Sequence, residues 1–288
     1  MFLPRLASTL VLLVLFIGSF SLKGLYGISL FIIIGTLLLF AGIKEMSVML
    51  EKMGLTPFVL TTQIIAFVML LSMALYGARM YDFFNSLFFI LLIFGGFSTY
   101  SWLLLIFSNN RNKTVMQISG TAFCVLLFVF PICFTALIYT IGFGEDNGGL
   151  HLLLYLVLVT KIGDIAAYVV GTISSKIPGG NHKIAMKISP KKSWEGTVAG
   201  LLMSIVAAIF LWRILKIELI HREIAALIVG IVLFFGGFLG DLAESSLKRC
   251  AEIKDSGKTI PGIGGVLDLV DSLVINSPLF YLMLQLKI

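Results

Sequence analysis

The sequence predicts an all-α, multi-spanning integral membrane protein with no separate soluble domain. Three observations carry this. Of the 288 residues, 59% are hydrophobic and only 12% are charged. The mean hydropathy is +1.06. The apolar residues form continuous runs of helical length, not alternating segments of about ten residues as in a membrane β-barrel. A soluble domain carries about 25% charged residues, so this chain cannot cover a water-facing surface.

Measured against a span of about 20 residues, the runs predict about nine transmembrane helices. They cover 6–22, 26–43, 56–78, 83–107, 115–142, 149–173, 196–215, 224–243 and 271–286. Arg5 followed by an apolar run has the outline of a signal peptide. No A-x-A-like site follows, so an uncleaved first helix is expected. The fourth run contains Gly95-Gly96 and the fifth contains Pro131, each a place for a kink or a break.

Loop charge predicts the orientation. With the N-terminus cytoplasmic, fourteen lysines and arginines fall on that side and six on the other, leaving Lys161 inside a span. The C-terminus then lies on the opposite side, and the polar loops 174–195 and 244–270 are cytoplasmic. The basic excess therefore reads as membrane orientation and does not indicate nucleic acid. Cys124, Cys133 and Cys250 form no CxxC or Cys/His cluster, so neither a disulfide framework nor zinc is expected.

The division along the chain is chemical. Residues 1–148 read as an N-terminal transmembrane region and 149–288 as a C-terminal transmembrane catalytic region. Ten of the fifteen carboxylates lie in 161–271. Charges within spans are costly and usually face a partner or a wet cavity. Lys161, Asp164 and Tyr168 share one helical face, which suits either a structural ion pair or the wall of an active site. Asp241, Glu244, Ser245 and Lys248 fall at i, i+3, i+4 and i+7, one stripe of a helix. Gly236, Gly237 and Gly240 allow a neighbouring helix to approach closely.

Asp268 and Asp271 are spaced i, i+3 at the start of the last run. Three acids (Asp241, Asp268 and Asp271) at one membrane depth repel unless a cation sits among them, and hard oxygen ligands point to Mg²⁺. Pro261 and the glycines 257, 262, 264 and 265 prevent a continuous helix and let backbone N–H groups converge on an anion. Gly257-Lys258-Thr259 looks like the end of a phosphate-binding P-loop, but Glu252 stands where that motif needs its first glycine. In the loop before the seventh run, Ser193 is expected to cap the helix, with Glu195 in its first turn. The basic residues just before it suit a polyphosphate or anionic lipid head groups. His182 reads as a loop residue.

Three segments in order resemble the phosphatidate cytidylyltransferase family. They are Asp164, Ala167, Tyr168 and Gly171; then Ser189 to Gly196; then a signature over 245–271. That signature runs from Ser245 through Lys248-Arg249, Lys254-Asp255-Ser256-Gly257 and Ile260-Pro261-Gly262-Ile263-Gly264-Gly265 to Asp268 and Asp271. Two positions depart from the commonest pattern: Ile263 replaces a histidine and Leu269 an arginine. A mechanism that needs that histidine as a base, or that arginine as a clamp, cannot operate here.

The resemblance implies a membrane nucleotidyltransferase of phospholipid biosynthesis that converts CTP and phosphatidate to CDP-diacylglycerol and pyrophosphate. It implies Mg²⁺, as one or two divalent ions or one with a monovalent cation. Asp241 and Asp268 are the expected metal ligands, supported by Glu244 and Asp271, with Lys248 also catalytic. Arg249, Lys254 and Lys258 would hold phosphates, and Gly264 and Gly265 would line the substrate site. Ser189, Lys191, Lys192 and Ser193 would form a second wall along the triphosphate, and Asp164 would orient the set. A homodimer in the cell inner membrane is expected. An ion-coupled transporter through Lys161, Asp164 and Asp241, or another membrane lipid kinase, is the alternative.

Overall fold

The computed structural model describes residues 25–78, 83–141, 148–177, 180–186, 188–217, 220, 222–257, 259–260 and 264–286. They form eight helices and one short hairpin, so the all-α expectation holds apart from that hairpin. The chain divides into two compact units: Met1–Gly149 with Cys250–Leu269, and Leu150–Arg249 with Val270–Ile288.

The first unit contains helices α1 (Leu25–Lys52), α2 (Val59–Gly77) and α3 (Phe83–Phe107), and α4 (Arg111–Thr140). In α2 the buried residues Thr62, Ile65, Ala66, Met69, Leu70, Met73 and Ala74 recur every three to four positions, one face of a helix. That face packs on α1 and on the second half of α4. Phe31 of α1 stacks on Tyr139 of α4 with centroids 4.4 Å apart. Phe58 N–H, at the start of α2, donates to Thr121 Oγ1 at 2.8 Å. Helix α4 carries a π turn at Val125–Val129, immediately before Pro131. A proline inside a helix cannot donate and crowds the carbonyl four residues back. The wider turn absorbs this, so the run continues unbroken. Helix α3 also runs unbroken through Gly95 and Gly96.

The second unit contains α5 (Gly148–Ser174), the strands β1 (Lys183–Ala185) and β2 (Ser189–Ser193), α6 (Trp194–Leu215) and α7 (Glu223–Cys250). Most of α8 (Val266–Gln285) belongs to it as well. The antiparallel hairpin pairs Lys183 with Ser193 and Ala185 with Ser189. Ser193 caps α6 as expected, its Oγ accepting from Gly196 N–H at 3.2 Å. Deep in this unit Asn276 of α8 is fully buried. Its amide donates to Thr160 Oγ1 of α5 at 2.9 Å and to the Leu233 carbonyl of α7 at 2.8 Å. One side chain thus ties three helices. Tyr155 and Phe280 stack beside it at 5.7 Å.

Seven of the described helices are long and apolar enough to cross a membrane. The expected count of about nine is not supported among the described residues. The run 6–22 lies outside them, and the fourth run contributes only the shorter apolar stretch Leu91–Phe107. Three helices also exceed their apolar runs by five residues or more. Helix α1 continues past residue 43 to Lys52, α7 past 243 to Cys250, and α8 starts at Val266 instead of 271. In each case the extra turns carry charged residues, among them Glu45 of α1, Glu244 and Lys248 of α7 and Asp268 of α8.

Replacing Asn276 with alanine should lower stability by about 1 kcal/mol, the usual scale for a hydrogen bond between membrane helices. The check is thermal unfolding of the purified protein in detergent. A melting temperature equal to that of the wild type would contradict the tie.

Candidate active site

In the second unit, a ligand oxygen from each of Asp241, Glu244 and Asp271 lies within 4.8 Å of the others. Asp241 and Glu244 are one turn apart on α7, and Asp271 comes from α8. The two helices meet at Gly240, where a Cβ would lie 2.5 Å from the Asp271 carbonyl oxygen. Any side chain there would push the acids apart.

Lysines surround the three acids. Lys192, at the end of the hairpin, pairs with Asp241 at 2.8 Å. The same ammonium donates to the Phe238 carbonyl at 3.1 Å and lies 3.9 Å from the centroid of its ring. Lys248 pairs with Glu244 at 2.8 Å, both almost buried, at 14% and 9% exposure. Lys161 of α5 stands 3.6 Å from both Asp164 and Asp271 and donates to Ser272 Oγ at 2.9 Å. Asp271 Oδ1 also accepts from Ser272 N–H at 2.6 Å. Among the described residues, four carboxylates thus face three lysines. Asp241 is 41% exposed, so the group is open to a ligand.

This donor set fits a hard cation. Oxygen ligands at about 2.1 Å in an octahedron are about 3.0 Å apart when adjacent and about 4.2 Å when opposite, close to the observed spread. Asp241, Glu244 and Asp271 could thus hold Mg²⁺ after a small contraction.

The glycine-rich signature segment belongs to the first unit. There Asp268 Oδ2 accepts from Ser256 Oγ at 2.8 Å and from Gly265 N–H at 2.9 Å. Gly264 has φ +129, a conformation suited to glycine. It pairs with Ile260 through two backbone bonds of 2.9 and 3.1 Å. The backbone N–H groups do converge on an anion, as the glycines suggest, but that anion is internal. The Glu45 carboxylate of α1 accepts from Val266 N–H and Leu267 N–H at 3.0 Å each and from Thr259 Oγ1 at 2.5 Å.

The remaining expected site residues fall in both units. Ser193 is the buried cap of α6. Ser189 opens β2 and is half-buried, while Lys191 is exposed. Arg249 ends α7 in the second unit, exposed, and Lys254 is exposed in the first. Lys258 lies outside the described residues. His182, read as a loop residue, pairs with Glu195 at 2.8 Å, and its carbonyl accepts from Trp194 N–H, which closes the base of the hairpin. Sequence reasoning missed Glu45 and the hydroxyls of Ser256 and Thr259. The signal for Glu45 was present: Lys44-Glu45 is a charged pair in a long, otherwise apolar helix.

If the three acids share one cation, Asp271→Asn should weaken Mn²⁺ binding by about tenfold or more, read from the free-ion electron paramagnetic resonance signal. Binding equal to wild type would remove Asp271 from the site.

The sequence model of the cytidylyltransferase family matches residues 4–287. The chain is 33% identical to a phosphatidate cytidylyltransferase of Staphylococcus haemolyticus, over 62% of this chain and 63% of that protein. It is 40% identical to one from Haemophilus influenzae, over 46% of this chain and 45% of that protein. It is 35% identical to the chloroplastic phosphatidate cytidylyltransferase 5 of Arabidopsis thaliana, over 62% and 47% respectively. The matched segments thus span less than two thirds of these relatives' own length. With a family match running almost from end to end, the chain belongs to the cytidylyltransferase family.

Proposed function

We propose that this membrane protein transfers the cytidylyl group of CTP to phosphatidate, giving CDP-diacylglycerol and pyrophosphate. The observation that carries the reading is the group of Asp241, Glu244 and Asp271 ringed by Lys161, Lys192 and Lys248. Family membership supports the cytidylyl donor, and the names of the relatives support the lipid acceptor.

In the proposed step, a phosphate oxygen of phosphatidate attacks the α-phosphorus of CTP. The new P–O bond forms as the bond to the β-phosphate oxygen breaks, and its electron pair leaves with pyrophosphate. The nucleophile is already an anion, so no general base is required. This is compatible with Ile263 where the commonest signature carries histidine. What the step demands is charge neutralisation and in-line placement of two anions. Asp241, Glu244 and Asp271 would hold Mg²⁺, which when bound offsets negative charge on the triphosphate and on the leaving group. Lys192 and Lys248 have short ion-pair partners on the metal-binding acids, so each can share its charge with a phosphate without moving far. Lys161 keeps Asp271 oriented through its contact with Ser272. Ser189, Lys191, Arg249, Lys254 and Lys258 remain proposed phosphate contacts, and Asp268 and Gly264 a proposed substrate-facing part of the signature.

The lipid substrate and product keep their acyl chains in the bilayer, while CTP stays in water. A polar group at the cytoplasmic ends of membrane helices serves both. Fourteen basic residues against six support the N-terminus and this face being cytoplasmic. The runs 6–22 and 83–107 would complete nine spans in a bacterial inner membrane.

Purified protein with Mg²⁺, labelled CTP and phosphatidate should form a lipid-linked cytidine nucleotide. No such product over a range of Mg²⁺ concentrations would overturn the reading. Asp241→Asn should cut turnover by about 10²–10³-fold, the usual scale for losing one charge-stabilising group. Chiral α-thio-CTP should react with inversion at phosphorus. Retention would instead require a covalent enzyme intermediate.

A further inference from the structure

Glu45 lies in α1, 6% exposed, in a helix otherwise rich in apolar residues. A carboxylate buried there is unfavourable unless donors surround it. It receives three: Thr259 Oγ1, Val266 N–H and Leu267 N–H. Charge-assisted bonds of this kind are about twice as strong as neutral ones. Val266 and Leu267 open α8, where the first N–H groups have no acceptor within the helix and the dipole favours a negative charge. A helix start is normally capped from within its own segment. Here Asp268 supplies the local cap on Gly265, and the main anion comes from a residue 221 positions away.

The segment is shaped to receive that carboxylate. A Cβ at Gly257 would lie 2.5 Å from Glu45 Oε1, and one at Gly265 would lie 2.5 Å from Oε2. Ser256 Oγ approaches Glu45 Oε2 at 3.4 Å while donating its proton to Asp268 at 2.8 Å. Glu45, Ser256, Thr259, Gly265 and Asp268 therefore form one connected set. Losing this arrangement would leave Glu45 without its donors.

We infer that Glu45 is a positioning residue: its buried carboxylate holds Thr259 and the 265–267 backbone of the signature in the arrangement that fixes Asp268, an inference that rests on the cytidylyl-transfer reading. It touches no substrate and acts through the segment it orders. Glutamine at this position keeps the size and one acceptor oxygen but turns an NH₂ group toward a backbone N–H. The segment should loosen while the surrounding helices persist.

The test uses full-length protein in lipid nanodiscs, wild type against Glu45→Gln, with two readouts. Hydrogen exchange should speed up in peptides covering 256–268 and stay unchanged in α2 and α6. Turnover should fall by about 10–100-fold, as for a small misplacement of a reacting group, while KM for CTP stays within about threefold. Thr259→Val removes one donor at an exposed position and keeps the carboxylate. It should give the same exchange pattern and a fall in kcat of about threefold or more, and it decides the matter if Glu45→Gln does not fold. Unchanged kcat in the folded variants, with or without faster exchange, overturns the inference while leaving the reaction intact. A wild-type protein that makes no CDP-diacylglycerol overturns the reaction reading itself, which the exchange data alone cannot restore.

Discussion

A carboxylate carried into a membrane helix must find a positive or hydrogen-donating partner, and the architecture follows from that demand. Transferring an unmatched charge into the bilayer interior costs roughly 2.5 kcal/mol or more. The structure meets the demand in two ways. Glu45 is matched by backbone and hydroxyl donors of the signature segment. Asp241, Glu244 and Asp271 are matched by Lys192, Lys248 and Lys161. The first arrangement is complete and internal. The second has more carboxylates than lysines among the described residues and a partly exposed Asp241, which suits a site that takes a ligand.

That contrast separates the roles of the two groups. Backbone N–H groups at a helix start are a common means of binding phosphate. At α8 they are already occupied by Glu45 and Asp268. Phosphate binding in the proposed reaction therefore falls to side chains and to a cation at the acidic group, and not to these backbone N–H groups. Gly257 and Gly265 admit the Glu45 carboxylate.

Much of the geometry of the candidate site was legible in the sequence because helical spacing is a local property. The i, i+3, i+7 stripe of Asp241, Glu244 and Lys248 follows from 3.6 residues per turn, and α7 realises it. The cap at Ser193 was legible for the same reason. The end of α1 was not, because hydropathy stops at Lys44-Glu45 while the helix does not. The donors that satisfy Glu45 are more than 200 positions away, and no window along the chain contains both. The start of α8 was misjudged through the same contact. Ranking Asp268 above Asp271 as a ligand went beyond what spacing can decide: both sit at the start of one helix, where Asp271 lies in the acidic group and Asp268 accepts from Gly265 N–H. The hairpin 183–193 escaped notice because its strands are too short and too basic to show alternation.

The account stands or falls on where the nucleotide's cation binds. Anomalous diffraction from crystals grown with Mn²⁺ and a non-hydrolysable CTP analogue locates it directly. The predicted result is a peak about 2.2 Å from carboxylate oxygens of Asp241, Glu244 and Asp271, with the triphosphate completing its coordination. A peak ligated by other residues, with the analogue bound away from this group, would contradict it.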